Sequence, residues 1–213
     1  MKVKTLAPSF IQNLINSKFI LRICFLLIFS PLLMNSANAK YASIVINANS
    51  GKVLHQTNAD TRNYPASLTK MMSLYILFDA IKDNTLDLNT KLKVSRRAVR
   101  QPASRLGLRY GQSISVHDAI LAIVTKSAND VATVISEKIS GTERSFALKM
   151  TSKARILGMN RTTFRNASGL PHRGQLSTAR DMARLALALI RDHPNFYNYF
   201  STKGFKFKGR HHK

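Results

Sequence analysis

Apolar positions follow two different rhythms along this chain. Ala42 to Ile46 and Val53 to Gln56 are short apolar-rich runs on either side of Asn47-Ala48-Asn49-Ser50-Gly51, a pattern that predicts two strands joined by a turn. Tyr64-Pro65-Ala66 ends this extended region. From Ser67 to about Ile81 the rhythm changes: Leu68, Met71, Met72, Tyr75, Ile76 and Phe78 recur at helical spacing. Leu86 to Tyr110 is basic and shows neither period, so it reads as irregular. Gly111 then leads into Ser115-Val116-His117-Asp118, a capping-box start.

Residues 118–126 and 129–139 read as apolar helices with Ser127 at their junction. Thr142 to Leu157 is a third helix, closed by Gly158. The stretch 161–173 holds a turn-rich loop, Asn166-Ala167-Ser168-Gly169-Leu170-Pro171. Thr178 caps a last helix, with Asp181 three residues on and Pro194 after its end. Residues 201–213 read as a strand and turn. These elements predict an α/β (α+β) fold with a helical middle and a sheet represented chiefly by its first hairpin.

Composition narrows the partners. The 213 residues are 45% hydrophobic and 20% charged, which excludes a disordered polyelectrolyte. There are 33 Lys and Arg against 10 Asp and Glu, a net charge of +23. Such a charge suits nucleic acid, an anionic membrane surface or an anionic cell-envelope polymer. The N-terminus chooses among them. Lys2, Lys4, Lys18 and Arg22 precede an apolar run, Ile23 to Met34, too short for the roughly 20 residues of a spanning helix. Ala37-Asn38-Ala39 follows, with small residues where a signal peptidase reads. Residues 1–39 are therefore expected to be a secretory signal, leaving 40–213 as the mature domain.

Cys24 leaves with the signal, so disulfides, thiolate catalysis and Cys-ligated metals are excluded from the mature chain. The histidines show no His-x-x-x-His spacing, and no metal or organic cofactor is expected. An exported basic protein meets envelope polymers and membranes before DNA. Its Lys and Arg are scattered rather than interleaved with aromatics, so no nucleic-acid role is expected.

Two short motifs could carry chemistry. Ser67-Leu68-Thr69-Lys70 is an S-x-x-K at a predicted helix start, where one turn brings Lys70 beside Ser67. A serine hydroxyl attacks only when a base takes its proton. A lysine amine can do so when burial lowers its pKa, and Met71, Met72 and Leu74 supply apolar surroundings. By itself the tetrapeptide is common. Ser127-Ala128-Asn129 is an S-x-N at a helix junction, where a hydroxyl could relay a proton and an amide could hold a carbonyl. Ordinary helix capping is the alternative reading, and Ser36-Ala37-Asn38 repeats the tripeptide with no such setting.

In order along the chain, the motifs resemble the low-molecular-mass penicillin-binding proteins, the serine-type D-alanyl-D-alanine carboxypeptidases. The resemblance rests on Asn49-Ser50-Gly51-Lys52-Val53-Leu54 and Pro65-Ala66-Ser67-Leu68-Thr69-Lys70-Met71-Met72. It continues through Ser104-Arg105-Leu106-Gly107-Leu108, Gly111-Gln112-Ser113, residues 121–132, Leu157-Gly158-Met159 and Asn166-Ala167-Ser168-Gly169-Leu170-Pro171. It implies a penicillin-binding-protein/β-lactamase-like transpeptidase fold. It implies Ser67 as acylated nucleophile, Lys70 as its proton acceptor, Ser127 as the hydroxyl that passes a proton to the leaving D-alanine, and Asn129 as a substrate-positioning amide. The implied substrate is the peptidoglycan stem peptide, with β-lactams as covalent inhibitors and a periplasmic or envelope location, with peripheral membrane association.

The family pattern also has a Lys-Thr/Ser-Gly on a core strand, which these 213 residues lack; Lys203-Gly204 and Lys208-Gly209 have no middle hydroxyl. The expectation is thus a domain cut short before that strand, with its sheet incomplete. His172 stands where the family usually carries an acid. Two other functions compete. A class A β-lactamase needs a glutamate some forty residues after the S-x-N, and no Glu follows Glu143. A non-catalytic remnant or peptidoglycan-binding module is the reading from a different class.

Overall fold

The computed structural model describes residues 41–212; the expected signal, 1–39, lies outside the described residues. Strands β1 (Ser43–Ile46) and β2 (Val53–Thr57) pair antiparallel, as the flanking apolar runs predict. Asn47 builds the turn between them: its Oδ1 accepts the N–H groups of Asn49 and Ser50 at 3.0 and 2.9 Å.

A 3-10 turn over Ala66–Leu68 leads into α1 (Thr69–Lys82). The helix is buried on nearly every side, from Thr69 to Phe78 with only Met71 partly open. Its spacing predicted one apolar face, but Ser73, Leu74 and Leu77 are enclosed too, because it is a central helix rather than a covering one.

The segment read as irregular contains structure. Strand β3 (Lys91–Lys93) and a short helix α2 (Arg96–Val99) lie within it. Strand β3 pairs antiparallel with β4 (Ser113–Ser115), Leu92 opposite Ile114. Only one buried residue in each of these three-residue strands is large and apolar, so no period could show. Helix α3 (Val116–Lys126) follows directly; Ser115 Oγ accepts the Asp118 N–H at 3.0 Å, the predicted cap.

Helix α4 (Asn129–Ser140) is buried continuously from Asn129 to Ser136 and packs against α1 as the second central helix. Helix α5 (Glu143–Ile156) is capped by Thr142, and α6 (Ala179–Asp192) by Thr178, whose Oγ1 accepts the Asp181 N–H at 3.1 Å. Helix α6 is the amphipathic cover: Met182, Leu185, Ala188 and Leu189 face inward. A short helix α7 (Pro194–Tyr197) and a 3-10 turn over Asn198–Ser201 end in a hairpin, β5 (Phe205–Phe207) with β6 (Arg210–His212). Among the described residues the strands form three separate two-stranded ladders, and no helix is long and apolar enough to cross a membrane.

The core gathers Met72, Phe78, Ile135, Phe146, Met150, Met159 and Phe164 between the helices. One buried acid joins this core to the loop over residues 102–108. The Asp130 carboxylate accepts the N–H groups of Leu106, Gly107 and Leu108 at 2.9, 2.9 and 3.1 Å, and that of Val131 at 3.0 Å. No local pattern reveals this, because three of its four donors lie more than twenty residues upstream.

Removing Asp130 would leave several buried donors unpaired, at about 1–3 kcal/mol each. Asp130→Ala is therefore expected to lower unfolding stability by about 3 kcal/mol or more, read as a shifted midpoint in urea unfolding. A loss below about 1 kcal/mol would show that water replaces the carboxylate.

Candidate active site

Three of the four expected site residues surround one cavity. Its volume is about 480 Å³, and Ser67, Lys70 and Ser127 line it with Met71, Ile123 and Phe200 among its apolar walls. Ser67 is exposed in the 3-10 turn, and Lys70 is buried one helical turn later. Lys70 Nζ contacts Ser67 Oγ at 3.5 Å and donates to the Ser168 carbonyl at 2.6 Å. Burial lowers the Lys70 pKa from 10.5 to about 8. The neutral amine is thereby reached at lower pH than in an ordinary lysine, beside the Ser67 hydroxyl.

The nucleophile turn is held in an unusual conformation. Ala66 has φ +45°, a left-handed backbone that costs a non-glycine residue roughly 1 kcal/mol. What faces it explains its place. Gly169, at φ +90°, lies so close that a Cβ added there would sit 1.8 Å from the Ala66 carbonyl oxygen and 3.0 Å from Ser67 N. Only glycine permits this approach. The loop is braced from within: Asn166 Oδ1 accepts the Gly169 N–H at 2.7 Å, and Gln175 Oε1 accepts the Arg165 and Asn166 N–H groups at 2.9 and 3.0 Å.

Ser127 closes α3 in the left-handed region, φ +53° and ψ +40°, and turns the chain into α4. It is a C-cap by backbone, and it also lines the cavity. Asn129 is the fourth expected site residue. It is 5% exposed, does not line the cavity, and its Nδ2 donates to the Pro102 carbonyl at 3.0 Å while its N–H donates to Ser104 O at 2.7 Å. The amide nitrogen thus helps hold the 102–108 loop. Ser104 Oγ completes the brace by donating to Lys126 O at 2.7 Å.

Sequence reasoning missed several residues that build the site. Asp130 ties the loop to the Ser127 junction; its only signal was an acid in the first turn of an apolar helix. Ser73 Oγ donates to Ala167 O at 2.6 Å, and Glu143 Oε1 accepts the Ala167 N–H at 3.2 Å. Glu143 stands directly after the helix cap Thr142, a position that gives no sign of this contact. Phe200 reaches the cavity from the 3-10 turn after α7, which no spacing could indicate. His172, in the position of the expected acid, is exposed, and its Nδ1 accepts the Gly174 N–H at 3.0 Å.

The chain is similar to known proteins. D-alanyl-D-alanine carboxypeptidase DacA of Escherichia coli K12 is 37% identical over 172 residues, covering 78% of this chain and 43% of its own. DacF of Bacillus subtilis 168 is 33% identical over 155 residues, 73% of this chain and 40% of its own. The crystal structure of the D-alanyl-D-alanine carboxypeptidase DacD from Francisella tularensis superimposes with a TM-score of 0.75 at 34% identity, over 76% of this chain and 40% of that one. The chain thus spans about two fifths of the length of the curated relatives it matches. The likeness establishes the penicillin-binding-protein transpeptidase fold expected from the motifs. The peptidase S11 family, D-alanyl-D-alanine carboxypeptidase, matches residues 33–213, so the match runs through the serine–lysine turn, the Ser127 junction and the Gly169 loop alike, and the chain belongs to that family.

Proposed function

We propose that this chain carries the acyl-transfer machinery of a serine-type D-Ala-D-Ala carboxypeptidase acting on peptidoglycan stem peptides. The observation that carries the reading is the buried Lys70 amine, held between the Ser67 hydroxyl and a neutral carbonyl. Neutral Lys70 takes the Ser67 proton as Oγ attacks the carbonyl of the terminal peptide bond. Ser127, across the cavity, passes a proton to the departing D-alanine nitrogen, leaving the shortened peptide as an ester on Ser67. Water then attacks the ester, and Oγ recovers its proton as the free carboxylic acid leaves. The N–H of Ser67 is assigned as one donor to the developing oxyanion.

Asn129 is assigned to substrate through its Oδ1, since its Nδ2 already serves Pro102. β-Lactams belong to the same reading as stalled acylating agents; a structure of penicillin-binding protein D2 from Listeria monocytogenes in the ampicillin-bound form is 32% identical, with a TM-score of 0.72 over 81% of this chain and 70% of that one. Residues 1–39 are proposed to export the chain, placing residues 40–213, with about +19 net charge, in the envelope beside an anionic polymer.

Three outcomes check this reading. Incubation with a β-lactam should add one acyl mass on Ser67; Ser67→Ala should abolish it and Lys70→Ala should slow it at least about 100-fold. Because the base is the neutral amine, acylation should rise with pH and level off above about 8. Stable labelling supports the carboxypeptidase, rapid turnover a β-lactamase, and no labelling a peptidoglycan-binding module.

Gly169→Ala should drive the added Cβ into Ala66 and displace the Ser67 turn, cutting acylation at least about 100-fold while secondary structure persists by circular dichroism. Acylation at the native rate would show that the loop yields instead. N-terminal sequencing of the exported protein should begin at Lys40; Met1 on an envelope-associated chain would overturn the cleavage.

A further inference from the structure

The two residues that hold Ala167 do more for the site than their distance from Ser67 indicates. Ala167 is fully buried and both of its backbone polar groups are taken by side chains from different helices. From α1, Ser73 Oγ donates to its carbonyl at 2.6 Å. From the first turn of α5, Glu143 Oε1 accepts its N–H at 3.2 Å. The other Glu143 oxygen, Oε2, accepts from Arg97 Nε at 3.0 Å and Nη2 at 2.5 Å. Glu143 is 4% exposed, so Arg97 is the partner that makes its burial as a carboxylate tolerable.

The next peptide unit is the one that matters chemically. Ser168 presents the carbonyl that accepts from Lys70 at 2.6 Å. Ser73 and Lys70 lie three residues apart on α1, so both grip the same short stretch of loop from one helix face. Resting on the acylation reading above, we propose that Glu143 and Ser73 form a two-sided clamp on Ala167 that positions the Ser168 carbonyl over Lys70 and closes water away from its amine. They are positioning residues: neither lines the cavity of Ser67.

The surroundings of Lys70 allow this mechanism to be separated from a direct charge effect. Hydroxyls and a carbonyl face it: Ser67 from its own turn, Ser168 from the loop and Ser127 across the cavity. Burial is the cause of its lowered pKa, with no charged group among the described residues contributing. Releasing the clamp removes a water barrier, so the amine should return toward the 10.5 of an ordinary lysine. A mere loss of the Glu143 charge would leave it where it is.

The test reads Lys70 directly. The chain is labelled with [ε-13C]lysine, and the Lys70 resonance is identified by its absence from Lys70→Arg. In the native chain it should titrate near pH 8. In Glu143→Gln, where one amide cannot serve both Arg97 and Ala167, it should titrate about one unit higher. Ser73→Ala removes only a hydroxyl and should shift it the same way; it decides the matter if Glu143→Gln fails to fold. Acylation by a β-lactam at pH 7 should fall about tenfold in either variant and recover at pH 9–10, since one unit is a tenfold change in neutral amine. An unchanged Lys70 titration in the folded variants overturns the clamp. Absence of acylation in the native chain would sink the enzymatic reading instead, and the titration would still decide the clamp.

Discussion

Lys70 donating to the Ser168 carbonyl inside the protein is the contact around which the rest of the site is organised. An exposed lysine is an ammonium and no base; the loss of water brings the pKa of this one down to about 8. That condition needs a lid, and the loop over residues 166–171 supplies it. The loop can lie this close only because Gly169 has no side chain to strike Ala66, and because Asn166 and Gln175 satisfy its backbone from within. The left-handed Ala66 belongs to the same constraint, since the chain must turn sharply to expose Ser67 while burying Lys70 three residues later.

A buried amine, a buried aspartate and a buried glutamate would each destabilise a helical core if left unpaired. Here each has been given backbone partners. Asp130 receives four N–H groups, Glu143 receives one together with Arg97, and Lys70 has a carbonyl. The polar atoms inside α1, α4 and the first turn of α5 therefore act as fasteners for the loops packed against them. Those loops carry the site: 102–108 fixes the Ser127 junction, and 166–171 fixes the Ser67 turn. Two central helices with an enclosed polar end provide a rigid floor, and the cavity above it is walled by Met71, Ile123 and Phe200.

Helices and caps were legible in the sequence because their bonds close within three or four residues. Ser115 with Asp118, and Thr178 with Asp181, are local hydrogen bonds that the spacing announces. The same locality placed Lys70 beside Ser67. The ordered motifs carry the family resemblance, and with it the mixed fold.

Whatever depends on a distant partner was invisible. Strands β3 and β4 pair across some twenty residues and are too short to show a period. Asn129 reads as a free amide in the sequence, yet tertiary packing turns its Nδ2 to Pro102, 27 residues back. The depth of Lys70 burial, the approach of Gly169 to Ala66 and the grip of Glu143 on Ala167 all arise where separate segments meet. Sequence alone determined which residues could do the chemistry and where helices begin. Only the tertiary structure decided which polar groups are dry, because exclusion of water is a property of surfaces brought together and not of any one segment.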